Sequence, residues 1–536
     1  MDLQSCAALS LLETLAVITS SKEPTTRASL KIFLLLLLGQ YTAVKLYRLF
    51  IYPSFLSPLR HLPGPKDNHP LLGQELKKFR ATSPNEVYLS WTQTWPDAPF
   101  IKYMSVGNSE QLLVNSLEAH KEVLQAKCYS FVKPVVFTRL VGEIVGKGLL
   151  FAEGDEHKKQ RRLLAGPFSL VNLRRLLPVF QAEARNLSDD IDKILEGKSS
   201  GVVEVSTLFS KATLRIIGVA ALGADLGDPN LSTFFHECYH RIFEQSLLGN
   251  VITAINAFIP IRRFLPIEAN LKFVQANTDI RALIRRLIRQ RMGEVEDRKE
   301  SVSGKGRTDL LTYMIEQGHA GEDAWTEDDI LGHVGCSVMV NSSGHETTAL
   351  ATVWASYVLA TRPDIQDRLR SEITGLLQQS PTPDYNEIES LRFLNNFCRE
   401  VLRVHCPTVT VPREAAEDVV VSGVLLPKGT TVHICPQVVH SSPSVWGSDA
   451  SVFDPDRWDR LTSNQASPYA LEAFINGPRI CIGRTFALLE YKTLLIELVS
   501  KWRFAGLDQQ QKVEVMNPSL TLKPKRGLKV VMEMLR

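Results

Sequence analysis

The sequence predicts one large catalytic domain behind an N-terminal membrane anchor, and three observations carry that prediction. The 536 residues are 44% apolar and 22% charged, which supports a large folded core rather than disorder. An uncharged, mostly apolar run from Ile32 to Val44 precedes prolines at 53, 58, 63 and 65. Motifs with chemical character then recur from His157 to Cys481, and if they serve one site the chain cannot be cut between them. Length alone would allow several domains.

The N-terminus divides by composition. Residues 1–29 form a leading segment, 30–52 the anchor, 53–66 a proline-rich hinge and 67–536 the catalytic domain. The run Ile32 to Val44 is short for a span of about 20 residues, but LYRLFIY continues it to Tyr52. Lys31, Lys45 and Arg48 could snorkel to the headgroups. An earlier apolar stretch, Cys6 to Thr19, carries Glu13 and is a weaker candidate. The strongest run starts about thirty residues in with no small-residue cleavage site after it, which disfavours a removed signal peptide. An interfacial amphipathic segment and a buried core helix are the alternatives to an anchor. Pro53 to Lys66 reads as a stiff extended connector, because proline fixes φ and blocks helix continuation.

With 61 basic and 58 acidic residues the chain is nearly neutral, and nothing suggests a nucleic acid partner. The eight cysteines, at 6, 128, 238, 336, 398, 406, 435 and 481, include no C-x-x-C pair. That argues against a disulfide scaffold or a zinc site and for thiols in a reducing compartment.

Along the domain, Tyr129 to Leu150 is largely apolar (Val135, Val136, Phe137, Leu140, Val141, Ile144, Val145) and should contribute to a hydrophobic pocket. In EGDEHKKQRRLLAGPFS, His157 and Arg161 lie one helical turn apart and could face a single carboxylate; a solvated basic helix is the competing reading. Arg281 to Arg291 alternates with Leu283, Ile284, Leu287 and Ile288, a solvated face over an apolar stripe. Gly293 to Arg307 reads as a surface loop.

A long helix is predicted over roughly Asp328 to Leu359, with Thr326 and Asp329 as a capping box and Pro363 beyond its end. Asn341, Ser342, Ser343, His345, Glu346, Thr347 and Thr348 crowd its middle, so a lipid-facing span is excluded and a wet, reactive cavity is implied. Glu346 and Thr347, an acid beside an alcohol, could relay protons through water. A polar helix centre satisfied by neighbouring chains is the bland alternative. In FCREVLR, Glu400 and Arg403 share a helix face at i,i+3, and FDPDRW supplies Arg457 further on. VPREAAEDVVVSGVLLPKGTTV, with alternating apolar residues and turn glycines, suggests short strands.

The most specific motif is FINGPRICIGRTFALLE, Phe474 to Glu490. Cys481, flanked by glycines before a helical run, can present its sulfur with little obstruction. Backbone N–H groups and the helix N-terminus would stabilise a thiolate there, able to ligate haem iron and promote O–O cleavage. Arg479 offers a fixed cation for a haem propionate. A loop cysteine whose glycines merely make turns is the alternative.

With Phe474, Gly477, Arg479, Cys481 and Gly483 all in place, the loop resembles F-x-x-G-x-R-x-C-x-G of the cytochrome P-450 family. The resemblance covers approximately Pro63 to the C-terminus. It implies a mostly α fold with small β-sheets, binding haem b with Cys481 as the axial thiolate. A single haem touched by the whole set requires one domain. The segment around Glu346 and Thr347 resembles the family's oxygen-activation motif, with Ser343 in place of the usual alanine or glycine. Glu400, Arg403 and Arg457 resemble its Glu–Arg–Arg structural triad. His157 stands where the family often has tryptophan, four residues before Arg161, and Arg413 matches a further propionate contact. Thr408 to Val411 would line the pocket, and LPGPK resembles the hinge of microsomal members.

The reading is a monooxygenase that inserts one atom of O2 into a hydrophobic substrate. No G-x-G-x-x-G lies between a strand and a helix, so electrons must come from another protein. The resemblance implies the NADPH-dependent reductase of the endoplasmic reticulum. A single-pass anchor there, with the domain facing the cytosol, is expected, and the wording of the 157–169 motif is similar to filamentous-fungal members that tailor secondary metabolites. A haem-thiolate isomerase, dehydratase or peroxygenase is the nearest rival, and a non-catalytic haem sensor or carrier is the rival of another class.

Overall fold

The computed structural model describes residues 3–19, 26–146, 148–224, 229–243, 245–300, 309–318, 326–339 and 345–535. Helices dominate, and three small sheets flank them. The largest sheet has the order β1 (Phe100–Met104), β2 (Glu110–Val114), β8 (Thr431–Ile434), β5 (Val411–Ala415) and β3 (Phe131–Val132). A second orders β4 (Ser200–Glu204), β10 (Lys529–Met534) and β9 (Trp502–Leu507); β6 (Val419–Val421) and β7 (Val424–Leu426) form a hairpin. Ser422 and Gly423 turn that hairpin with φ of 47° and 75°, the left-handed pair that a two-residue turn between twisted strands requires. The expected short strands after Val411 are therefore present.

The main core gathers around three helices. Leu170–Leu195 is capped by the Ser169 hydroxyl, which accepts from the Asn172 N–H, and buries Leu173, Leu177, Phe180, Ala184 and Leu187 at helical spacing. It packs against Arg484–Lys501. The third, Glu346–Thr361, is buried on nearly every side from Thr348 to Leu359, as suits a helix in the centre of a large domain. The capping box forms: the Asp329 N–H donates to Thr326 Oγ1, and Asp329 Oδ2 accepts from the Thr326 N–H. The long polar-centred helix is described as two pieces, Glu327–Met339 and Glu346–Thr361. Asn341, Ser342, Ser343 and Gly344 lie outside the described residues.

Two expectations need correction. The stretch from Gly293 is not loop at its start: helix Glu268–Glu300 runs through it. Gly293 has open space around it, and an exposed helical glycine costs only about 1 kcal/mol, which the strong helix formers around it offset. Residues 301–308 lie outside the described set. Likewise, helical geometry carries from Thr26 through Pro53 to Leu56, the last part as a wider π turn, so the extended connector starts only after the short turn Pro58–His61. The segment Thr26–Leu56 is long and apolar enough to cross a membrane, and its apolar window buries nothing against the protein.

Candidate functional site

A cavity of about 340 Å³ is walled by residues from the helix Glu346–Thr361, the 474–483 loop, β5 and the region after β3. Thr347 and Cys481 both line it. Phe137, Val141, Leu149 and Leu150 supply apolar wall from the region the sequence singled out, whereas Val135 and Val136 face outward. Thr408, Thr410 and Val411 line it as expected.

The cysteine loop is built by tight backbone contacts. Gly477 has φ of 73°, and a Cβ there would collide with the Leu124 carbonyl, so only glycine lets the loop approach the short helical turn Glu122–Ala126. The Cys481 N–H donates to the Phe474 carbonyl at 3.0 Å, and Phe474 packs on the main core. A Cβ at Gly483 would meet Phe168 and Cys481 Sγ only at 3.8 and 3.9 Å, ordinary contact, so this glycine is not demanded by space alone. Among the described cysteine side chains, six are buried and only Cys481 is exposed. It opens into the cavity yet lies deep in the protein. Burial pushes its thiol up, while the Gly483 N–H and the Arg161 and Arg484 guanidinium groups pull it down.

Cations converge on the same space. Arg413, Arg479, Arg161 and Lys133 line the cavity, and among the described residues its wall carries no carboxylate. Glu153 stands close by and pairs with Arg479 and with Lys133, the latter at 3.0 Å. Burial, reinforced by Arg479, holds Arg413 down to about 10; burial and Arg413 hold Lys133 down to about 8. A buried surplus of positive charge suits a ligand bearing carboxylates, and the apolar walls suit a flat macrocycle. The residues therefore fit haem.

His157 is buried, and desolvation, then Arg479, lowers it to about 4, so it is neutral at physiological pH. Tyr129 Oη lies 3.2 Å from His157 Nδ1. With the phenol donating there, the imidazole proton sits on Nε2, available to a carboxylate. Arg161 lines the cavity and also donates from Nη1 to the Ile480 carbonyl at 2.6 Å, which braces the cysteine loop. Arg479 donates to the Ala152 carbonyl at 3.0 Å.

Glu346 and Thr347 are adjacent but look different ways. Thr347 lines the cavity, whereas the Glu346 carboxylate meets Lys523 Nζ at 3.3 Å and Thr521 Oγ1 at 3.4 Å. The triad residues do come together. Glu400 accepts from Arg403 Nε at 2.9 Å and Nη2 at 2.7 Å, and Arg457 Nε lies 3.6 Å from Glu400 Oε1. The Asp454 N–H and Trp458 Nε1 also donate to Glu400. Arg403 in turn donates to the carbonyls of His440, Ala450 and Val452. This clamp ties the helix Arg392–Val404 to the 450–458 loop away from the cavity.

Sequence reasoning missed Lys133, Tyr129, Glu153 and Lys523. Only Lys133 left a signal, as a cation that with Arg139 and Lys147 interrupts the apolar stretch.

A family model described as Cytochrome P450 matches residues 63–532. The chain is 34% identical to the cytochrome P450 monooxygenase sphH of Aspergillus fumigatus over 92% of each chain. It is 29% identical to the cytochrome P450 monooxygenase ALT8 of Alternaria alternata, over 89% of this chain and 90% of that one. It is also 29% identical to the cytochrome P450 monooxygenase FUM15 of Gibberella moniliformis, over 86% and 85%. Similarity of this extent, over a mostly helical fold whose cavity suits haem, leads to one conclusion: the chain belongs to the cytochrome P450 family, as a monooxygenase that holds haem b through a cysteine thiolate.

Proposed function

We propose that Cys481 is the axial thiolate and that the enzyme inserts one oxygen atom of O2 into a hydrophobic small molecule. Electrons would come from NADPH through a separate reductase at the endoplasmic reticulum, where the N-terminal helix holds the domain on the cytosolic side. The observation that carries this reading is that Cys481, alone among the described cysteine side chains, opens onto space that Thr347 also lines. Similarity to fungal monooxygenases supports a tailoring oxidation in secondary metabolism.

Haem, when bound, supplies the oxygen-activating chemistry. The chain does the rest. Arg413, Arg479 and Lys133 would hold the propionates, with His157 donating from Nε2. Burial raises the Cys481 thiol, so its thiolate would form on binding iron, with the Gly483 N–H and the Arg161 and Arg484 guanidinium groups supporting the negative charge. The Thr347 hydroxyl holds a proton or a water within the cavity, and Glu346 moves protons toward it from the side of Lys523. Phe137, Val141, Leu150 and Phe168 keep bulk water out and favour an apolar substrate.

The test is Cys481→His in the full-length protein. It should abolish the red-shifted band of the reduced carbon monoxide complex, and an unchanged band would remove the assignment. Product formation that needs neither NADPH nor reductase would instead favour a peroxygenase or an isomerase.

A further inference from the structure

The helix Leu3–Thr19 lies against Thr26–Leu46, and the pair is built inside out. Cys6 and Ser10 are fully buried and Thr14 nearly so, at i, i+4 and i+8 on one face. Leu9, Leu11, Leu12 and Leu15 point outward, Leu12 at 64% exposure, and the second helix does the same with Leu34, Leu35 and Leu38, Leu35 at 69%. A helical pair made for water would turn its leucines inward.

The polar groups are satisfied within the pair. Ser10 Oγ donates to Gln40 Oε1 at 3.2 Å, Gln40 Nε2 donates to Glu13 Oε2 at 2.5 Å, and Thr14 Oγ1 donates to the Ser10 carbonyl at 2.6 Å. Between Cys6 and Ile18 the only polar side chains besides the cysteine are Ser10, Glu13 and Thr14. Each is thus buried or bonded to the second helix. Small and hydroxyl residues at the contact, with side-chain hydrogen bonds across it, are how helices associate in lipid, where apolar surface gives no drive to pair.

Length agrees. The 17 residues of the first helix reach about 25 Å at 1.5 Å per residue, close to the roughly 27 Å hydrocarbon thickness of an endoplasmic reticulum bilayer. The 21 residues of the second reach about 31 Å. The outward leucines wrap a broad arc rather than a narrow stripe, which disfavours a helix lying in the interface. Charge is mildly in favour. The first helix contains no Lys or Arg, and Lys45 in the last turn of the second with Arg48, Arg60 and Lys66 beyond it outnumber Lys22, Arg27 and Lys31 at or before its start.

We infer that Leu3–Thr19 is a second membrane-inserted helix. The anchor is then a hairpin covered by lipid acyl chains, not the single pass that the sequence suggests, and Met1 returns to the side of the catalytic domain. This rests on the proposed cytosolic orientation of that domain.

Full-length protein is made in microsomes with a flexible glycosylation-acceptor tag at one of three places: before Met1, between Ser21 and Lys22, or after Arg536. The reduced carbon monoxide band shows that each variant retains a folded haem domain. The hairpin requires glycan on the middle tag alone. Glycan on the first and middle tags but not the last would overturn the hairpin and leave the orientation standing. Glycan on the last tag would sink the orientation itself. Glycan on none would mean that the pair does not cross the bilayer, which also overturns the inference.

Discussion

Lys523 Nζ sits 3.3 Å from Glu346 Oε1, and Thr521 donates to the other carboxylate oxygen at 3.4 Å. The acid beside Thr347 is therefore held against the C-terminal segment 519–525, at one edge of the cavity that Thr347 faces directly. Both distances are long and Lys523 retains 23% side-chain exposure, but Glu346 is only 10% exposed, so the clasp opens only where another polar partner replaces the lysine. A carboxylate held this way can alternate between lysine and cavity water.

The first prediction separates that role from mere packing. Glu346→Gln should lower turnover by about 100-fold, within the range of a general acid–base contribution. Lys523→Met should lower it several-fold on its own, and should add almost nothing in the Glu346→Gln background. Additive losses in the double-mutant cycle would show that Lys523 acts elsewhere.

Thr347→Ala tests the neighbouring hydroxyl. Haem content and the carbon monoxide band should stay as in the wild type, while most NADPH oxidised yields hydrogen peroxide instead of product. Product formed per NADPH is the measurement, and an unchanged ratio would count against a proton-handling role.

How much of this was legible in the sequence depends on the distance between partners along the chain. The Cys481 loop is set by contacts among residues within ten positions and by the glycine that Leu124 demands, so its pattern was readable directly. The Glu400–Arg403 pair is local and was readable too, with Arg457 arriving on a nearby loop. Lys523 and Glu346 are 177 positions apart, and Tyr129 and His157 meet only because β3 and the helix Gly154–Leu164 fold together. No periodicity encodes such meetings. The same limit hid the bond from Arg161 to the Ile480 carbonyl, 319 positions away, although its spacing from His157 placed both on the cavity wall. Cys6, Ser10 and Thr14 are another case: their spacing puts them on one helical face, but only the second helix shows that this small-residue face, and not the leucines, is the one buried.

Glu400→Ala should act through folding. It would leave Arg403 and Arg457, both at most 3% exposed, without their shared carboxylate, and strand the Trp458 and Asp454 N–H donors. Breaking a buried ion pair on one side costs about 3–5 kcal/mol, a large part of a domain's stability. Little holoprotein should be recovered, and a normal yield with impaired turnover would make Glu400 a catalytic group instead.

Acid should destabilise the domain from about pH 6.5 downward. Burial lowers His405 to about 4 and His433 and His440 to about 3, with Arg403 adding to the effect at His405 and His440 and Lys78 at His433. Their folded values lie below the ordinary 6.5, so between these limits the unfolded chain binds more protons than the folded one. Stability therefore falls as pH falls, by up to about 1.4 kcal/mol per pH unit for each histidine. Denaturant melts at pH 7.5, 6.0 and 5.0 measure this. His433→Gln, whose ring is flanked by Tyr88 and Tyr103, should flatten the slope relative to the wild type at a cost in absolute stability.

Lys133 links pH to cofactor binding. Without haem its ammonium is held down to about 8 by burial and by Arg413, with Arg479 adding and only Glu153 opposing. Carboxylates arriving at this wall would favour the charged form and raise that value. The sign follows: haem affinity is at its full strength below about pH 8 and declines as pH rises, because above that point binding must be accompanied by proton uptake. Haem transfer from the holoprotein to an apo-myoglobin scavenger, timed at pH 7 and pH 9, should be several-fold faster at pH 9. Lys133→Arg should hold haem with no such pH dependence, since arginine stays charged across the range. Lys133→Met should lose haem faster at both values and equally so. If the methionine variant keeps the wild-type pH dependence, another group at the wall is titrating and Lys133 is only structural.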